Sequence, residues 1–121
     1  MIKKTIIKSY KSFGYVANGL KAVWAEQFFF KIEIFCAALV IVTAFYFNAS
    51  FEEWVFSIIS ISMVLSAEII NTAIEELCNK IEPNQHPHIG KIKDISVTFV
   101  LVTMIAAFTI TVLIFIHHFL L

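Results

Sequence analysis

The sequence predicts an all-α membrane protein, with an N-terminal amphipathic surface helix followed by three transmembrane helices. Of its 121 residues, 60% are hydrophobic, and the mean hydropathy is +0.86. A soluble domain of this size has too little interior to bury so much apolar surface. The chain has only three Gly and two Pro, and its apolar residues collect in three long runs, as expected for membrane helices.

Residues 1–30 are predicted to form the amphipathic surface helix. The apolar positions that recur at steps of three or four are Ile6, Tyr10, Phe13, Ala17, Leu20 and Trp24. Lysines occupy the other faces, which is typical of a helix lying in the membrane interface. A cytosolic amphipathic helix packed on another element would have the same pattern, so that alternative stays open.

The three apolar runs predict transmembrane helices at residues 32–50, 54–81 and 95–119, within a single domain of residues 1–121. The second helix is expected to continue beyond the membrane as a cytoplasmic extension. Residues 82–93 contain both prolines and Gly90, so we expect a loop there. Glu52 and Glu53 should begin the second helix, and the His117-His118 pair should anchor the third at the interface.

The lysines predict the orientation of the chain in the membrane. They collect before the first apolar run and between the second and third runs, whereas the connection between the first two is acidic. Because positive charge favours the cytoplasmic side, the N-terminus and the 82–93 loop should both be cytoplasmic. The chain has no Arg and its formal net charge is zero, and we expect no nucleic-acid partner.

A stripe of polar residues emerges from the second apolar run. Glu68, Asn71, Thr72, Glu75 and Asn79 fall within about 100° on a helix that advances about 100° per residue. An ionisable group costs a few kcal/mol in a bilayer and usually faces a site, a partner or the protein interior. We interpret this stripe as a functional face; the alternative is a polar seam that only holds helices together.

Carboxylates on this stripe, near Lys93 and Asp94, suit a divalent cation and the phosphates that it carries. Glu68 lies about 10 Å deeper than Glu75 along the helix axis. It is placed to accept the proton of a lipid alcohol during phosphoryl transfer, where positioning and charge neutralisation provide most of the catalysis. A proton relay, an ion pathway or a helix-docking seam would use similar residues, and these alternatives stay open at this point.

The run from Glu68 through Asn71 to Glu75, followed eighteen residues later by Lys93 and Asp94, resembles the signature of the small prokaryotic diacylglycerol kinase family, which includes undecaprenol kinases. The resemblance spans nearly the whole chain. It implies a homotrimer in the bacterial inner membrane that transfers the γ-phosphate of ATP to diacylglycerol, giving phosphatidic acid, with Mg²⁺ as cofactor. Undecaprenol kinase is the alternative activity within the family.

The resemblance also implies roles for individual residues. Glu68 would be the catalytic base, supported by Asn71, and Glu75 would bind Mg²⁺. The implied ATP-binding residues are Lys8, Tyr15, Gln27, Glu75, Asn84, Gln85, His86, Lys93 and Asp94. The implied lipid-substrate contacts are Lys8, Lys21, Trp24, Lys31, Glu33, Asn48, Trp54, Glu68 and Val97.

Two positions depart from the pattern that this resemblance implies. Gln27 stands where the family has a second magnesium-binding glutamate, with Glu26 one residue earlier as a possible substitute, and Asn79 stands where an aspartate usually closes the signature. Losing two negative charges should weaken the affinity for Mg²⁺. We expect an active kinase; the alternative is a non-catalytic membrane scaffold that retains the fold.

Overall fold

The computed structural model describes all 121 residues as four α-helices without β-strands. They are α1 (Ile2–Glu26), α2 (Phe28–Tyr46), α3 (Phe51–Ile81) and α4 (Pro87–Leu120). By length and composition, α2, α3 and α4 can each cross a membrane. The prediction of an all-helical membrane protein with three spanning helices is therefore confirmed, whereas the interfacial position of α1 and the trimer stay predictions.

A single residue joins α1 to α2. Gln27 has an extended backbone (φ −111°, ψ 103°) and is both the C-cap of α1 and the N-cap of α2. As a result α2 begins at Phe28, four residues before the predicted start of the first membrane helix, and ends at Tyr46 rather than at residue 50. Asn48 turns the chain with a left-handed φ of 53°, a conformation that Asn adopts more readily than most residues.

The start of α3 is well defined by its side chains. Ser50 is the N-cap, and its Oγ accepts a hydrogen bond of 3.2 Å from the backbone N–H of Glu53. Glu52 and Glu53 lie in the first turn, where their charge favours the positive end of the helix dipole. The expectation that these two glutamates begin the second membrane helix is confirmed.

The predicted loop at residues 82–93 is wrong for most of its length. Only residues 82–86 lie outside the helices, since α4 begins at Pro87, eight residues before the predicted start at residue 95. Proline suits the first turn of a helix because its missing N–H has no partner there. His86 is the N-cap, and its Nδ1 accepts a hydrogen bond from the backbone N–H of His88. Lys93 therefore lies on a helix rather than in a loop.

Helices α3 and α4 form an antiparallel pair, joined by the short connection at residues 82–86. We call the end of the bundle with this connection the loop end, and the end with residues 47–50 the far end. The buried residues of α3 that recur at steps of seven or four are Glu53, Ser60, Ala67, Asn71 and Cys78. Such spacing places one seam of a helix against a neighbour, as in coiled coils.

At the far end the α3–α4 seam is closed by an ion pair. The Nδ1 atom of His118 lies 2.9 and 3.0 Å from the two carboxylate oxygens of Glu53, which is 9% exposed. The prediction that both terminal histidines are interfacial anchors is thus incomplete. His117 is exposed, whereas His118 faces the neighbouring helix because the two residues are about 100° apart around α4.

A single chain has a small interior. Only 11 of the 121 residues are buried, and the hydrophobic ones are Val23, Phe30, Ala67, Cys78 and Val100. Most large apolar side chains therefore face lipid or other protein chains. The contacts that position the polar stripe are accordingly those between α3 and α4, and those of the Gln27 joint.

We expect the His118→Ala substitution to destabilise the protein. It would leave the Glu53 carboxylate nearly buried without its partner, which costs about 1–3 kcal/mol. The matched control is His117→Ala at the adjacent exposed position, where we expect a change of no more than about 0.5 kcal/mol. Unfolding in SDS from detergent micelles measures both, and equal losses would show that the ion pair does not stabilise the α3–α4 seam.

Candidate active site

The polar stripe on α3 faces the protein rather than lipid. Glu68, Asn71 and Thr72 are at most 4% exposed, and Glu75 is half-buried. Thr72 satisfies its hydroxyl locally by donating to the backbone carbonyl of Glu68. The Thr72 hydroxyl is therefore already used within its own helix. The polar side chains of the stripe that remain available for a ligand are Glu68, Asn71 and Glu75, with exposed Asn79 one turn further on.

A hydrogen-bonded network at Glu75 connects α3, α4 and the joint between α1 and α2. Ser96 on α4 donates from Oγ to Asn71 Oδ1 at 2.6 Å, and Asn71 Nδ2 donates to Glu75 Oε1 at 3.1 Å. On the other side, Gln27 Nε2 donates to Glu75 Oε2 at 2.7 Å. Each carboxylate oxygen of Glu75 thus accepts one amide N–H, which fixes the carboxylate from both sides.

Gln27 reaches Glu75 because it lies at the joint between α1 and α2. The sequence departs from the family pattern here, and the structure nevertheless brings position 27 to the predicted magnesium ligand. Two carboxylates at this separation would repel each other without a cation between them. The neutral amide instead donates a hydrogen bond, so the joint stays packed against α3 when no metal is bound.

Two further carboxylates lie beside Glu75. Glu26, at the end of α1, faces the side chain of Glu76 and lies near Glu75. The pKa of Glu26 is raised, first by its side-chain interaction with Glu76, then by desolvation and by the negative charges of Glu76 and Glu75. Glu76 lies off the centre of the polar stripe and faces the end of α1.

These oxygen donors fit Mg²⁺ that arrives with a nucleotide. No group of three or more His, Cys, Asp or Glu side chains converges into a closed metal site. Mg²⁺ does not need one, because it keeps several waters and takes one or two carboxylates together with substrate phosphates. Glu75 offers a fixed carboxylate, and Gln27 and Glu26 offer an amide carbonyl and a carboxylate beside it.

Glu68 lies deeper, next to a second acidic side chain. Glu33 on α2 is close enough to interact electrostatically with Glu68. Both carboxylate oxygens of Glu33 are buried and have no hydrogen-bond partner. Glu33 lines a cavity of about 280 Å³ between α2, α3 and α4 whose walls are mostly apolar. Buried carboxylate oxygens normally have partners, so this cavity is suited to a ligand with an apolar body and a hydroxyl donor.

Four of the predicted ATP-binding residues meet at the loop end. Asn84, Gln85, His86 and Lys93 line one open cavity of about 590 Å³. The Nζ atom of Lys93 donates to Asn79 Oδ1 at 2.6 Å. Asn79, the second position that departs from the pattern implied by the resemblance, therefore also contacts a candidate site residue. As a neutral acceptor, it positions Lys93 without cancelling the positive charge of the lysine.

Other predicted ATP-binding residues are not brought to this cavity. Lys8 and Tyr15 are exposed on α1, where they line a separate shallow surface together with Lys4 and Lys11. Asp94 is exposed on α4. Its backbone carbonyl, rather than its carboxylate, accepts a hydrogen bond from the hydroxyl of Thr98. Within one chain, the loop cavity and the surface that holds Lys8 and Tyr15 share no lining residue.

The predicted lipid contacts divide into two groups. Near the Gln27 joint, Lys31 lies over the Trp24 ring, with Nζ 5.4 Å from the ring centroid. At the far end, Trp54 packs edge-on against Phe45 with centroids 4.8 Å apart. Trp54 is about 21 Å from Glu68 along the axis of α3. The exposed side chains of the remaining predicted contacts are Lys21, Asn48 and Val97.

Sequence reasoning missed Ser96 in this site. Its hydroxyl completes the network to Asn71, and it is one of two buried residues on α4. The feature of the sequence that could have pointed to Ser96 is its position just after Lys93 and Asp94 on the same helix. Recognising its partner needs the rotation of α4 against α3, which a single sequence does not specify.

Comparisons with known proteins agree with this geometry. The family model described as prokaryotic diacylglycerol kinase matches residues 14–115. The diacylglycerol kinase of Escherichia coli is 32% identical over 97 residues, covering 80% of each chain. That of Helicobacter pylori is 31% identical over 96 residues, covering 79% of this chain and 75% of its own.

An undecaprenol kinase is similar over a longer stretch at lower identity. The Bacillus subtilis protein is 28% identical over 106 residues, which cover 88% of this chain and 86% of its own. The family match extends from the middle of α1 nearly to the end of α4 and includes the polar stripe, the Gln27 joint and the loop cavity. The chain therefore belongs to the prokaryotic diacylglycerol kinase family of membrane lipid kinases.

Proposed function

We propose that this protein is an ATP-dependent diacylglycerol kinase, which transfers the γ-phosphate of ATP to the free hydroxyl of diacylglycerol and yields phosphatidic acid. One observation carries the proposal: the unpartnered Glu33 lines an apolar cavity and interacts electrostatically with Glu68, while Glu75 lies about 10 Å closer to the loop end than Glu68. This arrangement provides a place for a lipid alcohol next to a place for a metal-bound phosphate.

In the proposed reaction, Glu68 takes the proton of the lipid hydroxyl as its oxygen attacks the γ-phosphorus. The bond between that phosphorus and the β,γ-bridging oxygen breaks, and ADP leaves with the electron pair. Glu33, whose oxygens lack a protein donor, helps to hold the hydroxyl beside Glu68. General-base catalysis of this kind contributes about 10²–10⁴ in rate.

Mg²⁺, when bound, neutralises charge on the β- and γ-phosphates. Glu75 would hold it together with the carbonyl oxygen of Gln27, and Glu26 would serve as the substitute carboxylate. The amides of Asn71 and Gln27 keep Glu75 in place before the metal arrives. Lys93, positioned by Asn79, would bind phosphate oxygens at the edge of the loop cavity, where Asn84, Gln85 and His86 would contact the rest of the nucleotide.

The proposed assembly is a homotrimer in the bacterial inner membrane, with the N-terminus and the loop end cytoplasmic. Its support is physical. One chain buries 11 of its 121 residues, so much of its apolar surface is available to other subunits and to membrane lipids. Lys8, Tyr15 and the loop cavity are separate within one chain, and a neighbouring chain is the proposed means of bringing such residues to one nucleotide.

Undecaprenol is the second candidate acceptor. The undecaprenol kinase of Bacillus subtilis matches a larger share of this chain than the diacylglycerol kinases do, although its identity is lower. The cavity beside Glu33 is lined mainly by aliphatic and small side chains, which suit an isoprenoid as well as an acyl chain. A non-catalytic scaffold is the outcome if neither lipid is phosphorylated.

We expect Glu68→Gln to abolish the kinase activity, with a loss of at least about 10²-fold, because the amide cannot accept the proton. The assay is ATP-dependent phosphorylation in mixed micelles, with diacylglycerol and undecaprenol offered separately. Glu52→Gln, at an exposed far-end position, is the matched control and should retain activity. Full activity of the Glu68 variant would remove its assigned role, and no transfer to either lipid by the unmodified protein would refute the kinase assignment.

We expect Gln27→Glu to lower the Mg²⁺ concentration for half-maximal activity several-fold, because it adds a carboxylate next to Glu75. Without Mg²⁺ the same variant should be less thermally stable than the parent, since a hydrogen bond is replaced by repulsion. Glu26→Gln tests the substitute ligand and should raise the Mg²⁺ requirement. If Gln27→Glu leaves both the requirement and the metal-free stability unchanged, position 27 does not face the bound metal.

A further inference from the structure

Ser96 uses its hydroxyl differently from the other hydroxyl donors of the chain. Nine Ser and Thr hydroxyls donate to a backbone carbonyl three or four residues earlier. Ser and Thr hydroxyls within helices commonly donate their hydrogen bond to the backbone carbonyl of the preceding turn in this way. Ser96 instead donates to the side chain of Asn71, 25 positions earlier and on another helix, at 2.6 Å.

The two partners are shielded from water. Ser96 is 6% exposed and Asn71 is 2% exposed, so solvent does not replace this hydrogen bond readily if it is lost. The carboxylate of Glu75 accepts hydrogen bonds only, and it therefore requires the amide nitrogen of Asn71 on its side. That leaves Asn71 Oδ1 facing α4, where a donor is needed, and Ser96 provides one.

The direction of the network is thus fixed from Ser96 through Asn71 to Glu75. Asn71 is also a side-chain neighbour of Glu68, so its amide lies between the proposed base and the proposed magnesium ligand. If its amide turned over, the carbonyl oxygen would face the Glu75 carboxylate and repel it. This repulsion disfavours that orientation and keeps Oδ1 on the α4 side, where the hydroxyl of Ser96 donates to it.

We propose that Ser96 is a positioning residue of the kinase site, which acts through Asn71 to hold the Glu75 carboxylate ready for Mg²⁺-nucleotide. The inference rests on the proposed function. It makes α4 part of the metal-binding arrangement, although the side chains that donate to Glu75 are those of Gln27 and Asn71 rather than of any α4 residue. It also explains why a serine, rather than one of the apolar residues that dominate α4, occupies this buried position.

The test compares Ser96→Ala, Ser96→Thr and Ser60→Ala. Ser60 is the matched control for the nucleotide-binding measurement alone, since it also lines the proposed lipid cavity; it is a buried serine whose hydroxyl donates only to the carbonyl of Phe56 in its own helix. Calorimetric binding of a non-hydrolysable ATP analogue, with and without Mg²⁺, is measured beside lipid phosphorylation. We expect Ser96→Ala to weaken Mg²⁺-dependent binding about tenfold, as for one buried hydrogen bond, with metal-free binding changed less than about twofold.

Ser96→Thr keeps the hydroxyl and should restore most of the Mg²⁺-dependent affinity. If Ser96 had a purely structural role, its loss would weaken nucleotide binding equally with and without Mg²⁺. A double-mutant cycle adds Asn71→Ala, and in that background Ser96→Ala should have little further effect on Mg²⁺-dependent binding. Additive losses, or a loss with Ser60→Ala equal to that with Ser96→Ala, would overturn the positioning role.

The outcomes also separate this inference from the proposed function. If the unmodified protein binds Mg²⁺-nucleotide and phosphorylates a lipid, but Ser96→Ala behaves as the parent, only the role of Ser96 fails. If the unmodified protein neither binds Mg²⁺-nucleotide nor phosphorylates either lipid, the proposed function fails and the role of Ser96 fails with it.

Discussion

Polar groups inside an apolar helix pair need partners, and this requirement determines how α3 and α4 meet. Glu53 pairs with His118 at the far end, Asn71 with Ser96 near the site, and Asn79 with Lys93 at the loop end. Apolar side chains alone favour contact without specifying one register, because lipid is as apolar as they are. The three polar pairs select a single alignment along the seam, and that alignment places Ser96 and Lys93 of α4 opposite the polar stripe of α3.

The two departures from the pattern that the family resemblance implies share one physical feature. At each position an amide replaces a carboxylate and keeps a hydrogen bond to a charged residue of the candidate site: Gln27 donates to Glu75, and Asn79 accepts from Lys93. The geometry is retained while the negative charge is reduced. Glu26 and Glu76 add carboxylates nearby, so the total charge around Glu75 is less depleted than the two substitutions alone suggest.

The sequence was sufficient for the features that depend on local pattern. Apolar runs predicted the three spanning helices, and helical periodicity placed Glu68, Asn71 and Glu75 on one face. The loop before α4 was overestimated because proline interrupts a helix but also begins one, and only the His86 cap distinguishes the two cases. The contacts of Ser96 and His118 were not predictable, because they depend on how α4 is rotated against α3.

Gln27 has a mechanical consequence. One non-helical residue connects α1 to α2, and the same residue contacts Glu75 through its side chain. Hinges are commonly a few residues between rigid elements that absorb the backbone change. Any tilt of α1 about this joint therefore acts directly on the Glu75 carboxylate through the Gln27 side chain, without passing through the α3–α4 seam. The hinge between α1 and α2 is thus itself part of the candidate site, so the orientation of α1 and the position of the Glu75 carboxylate are coupled.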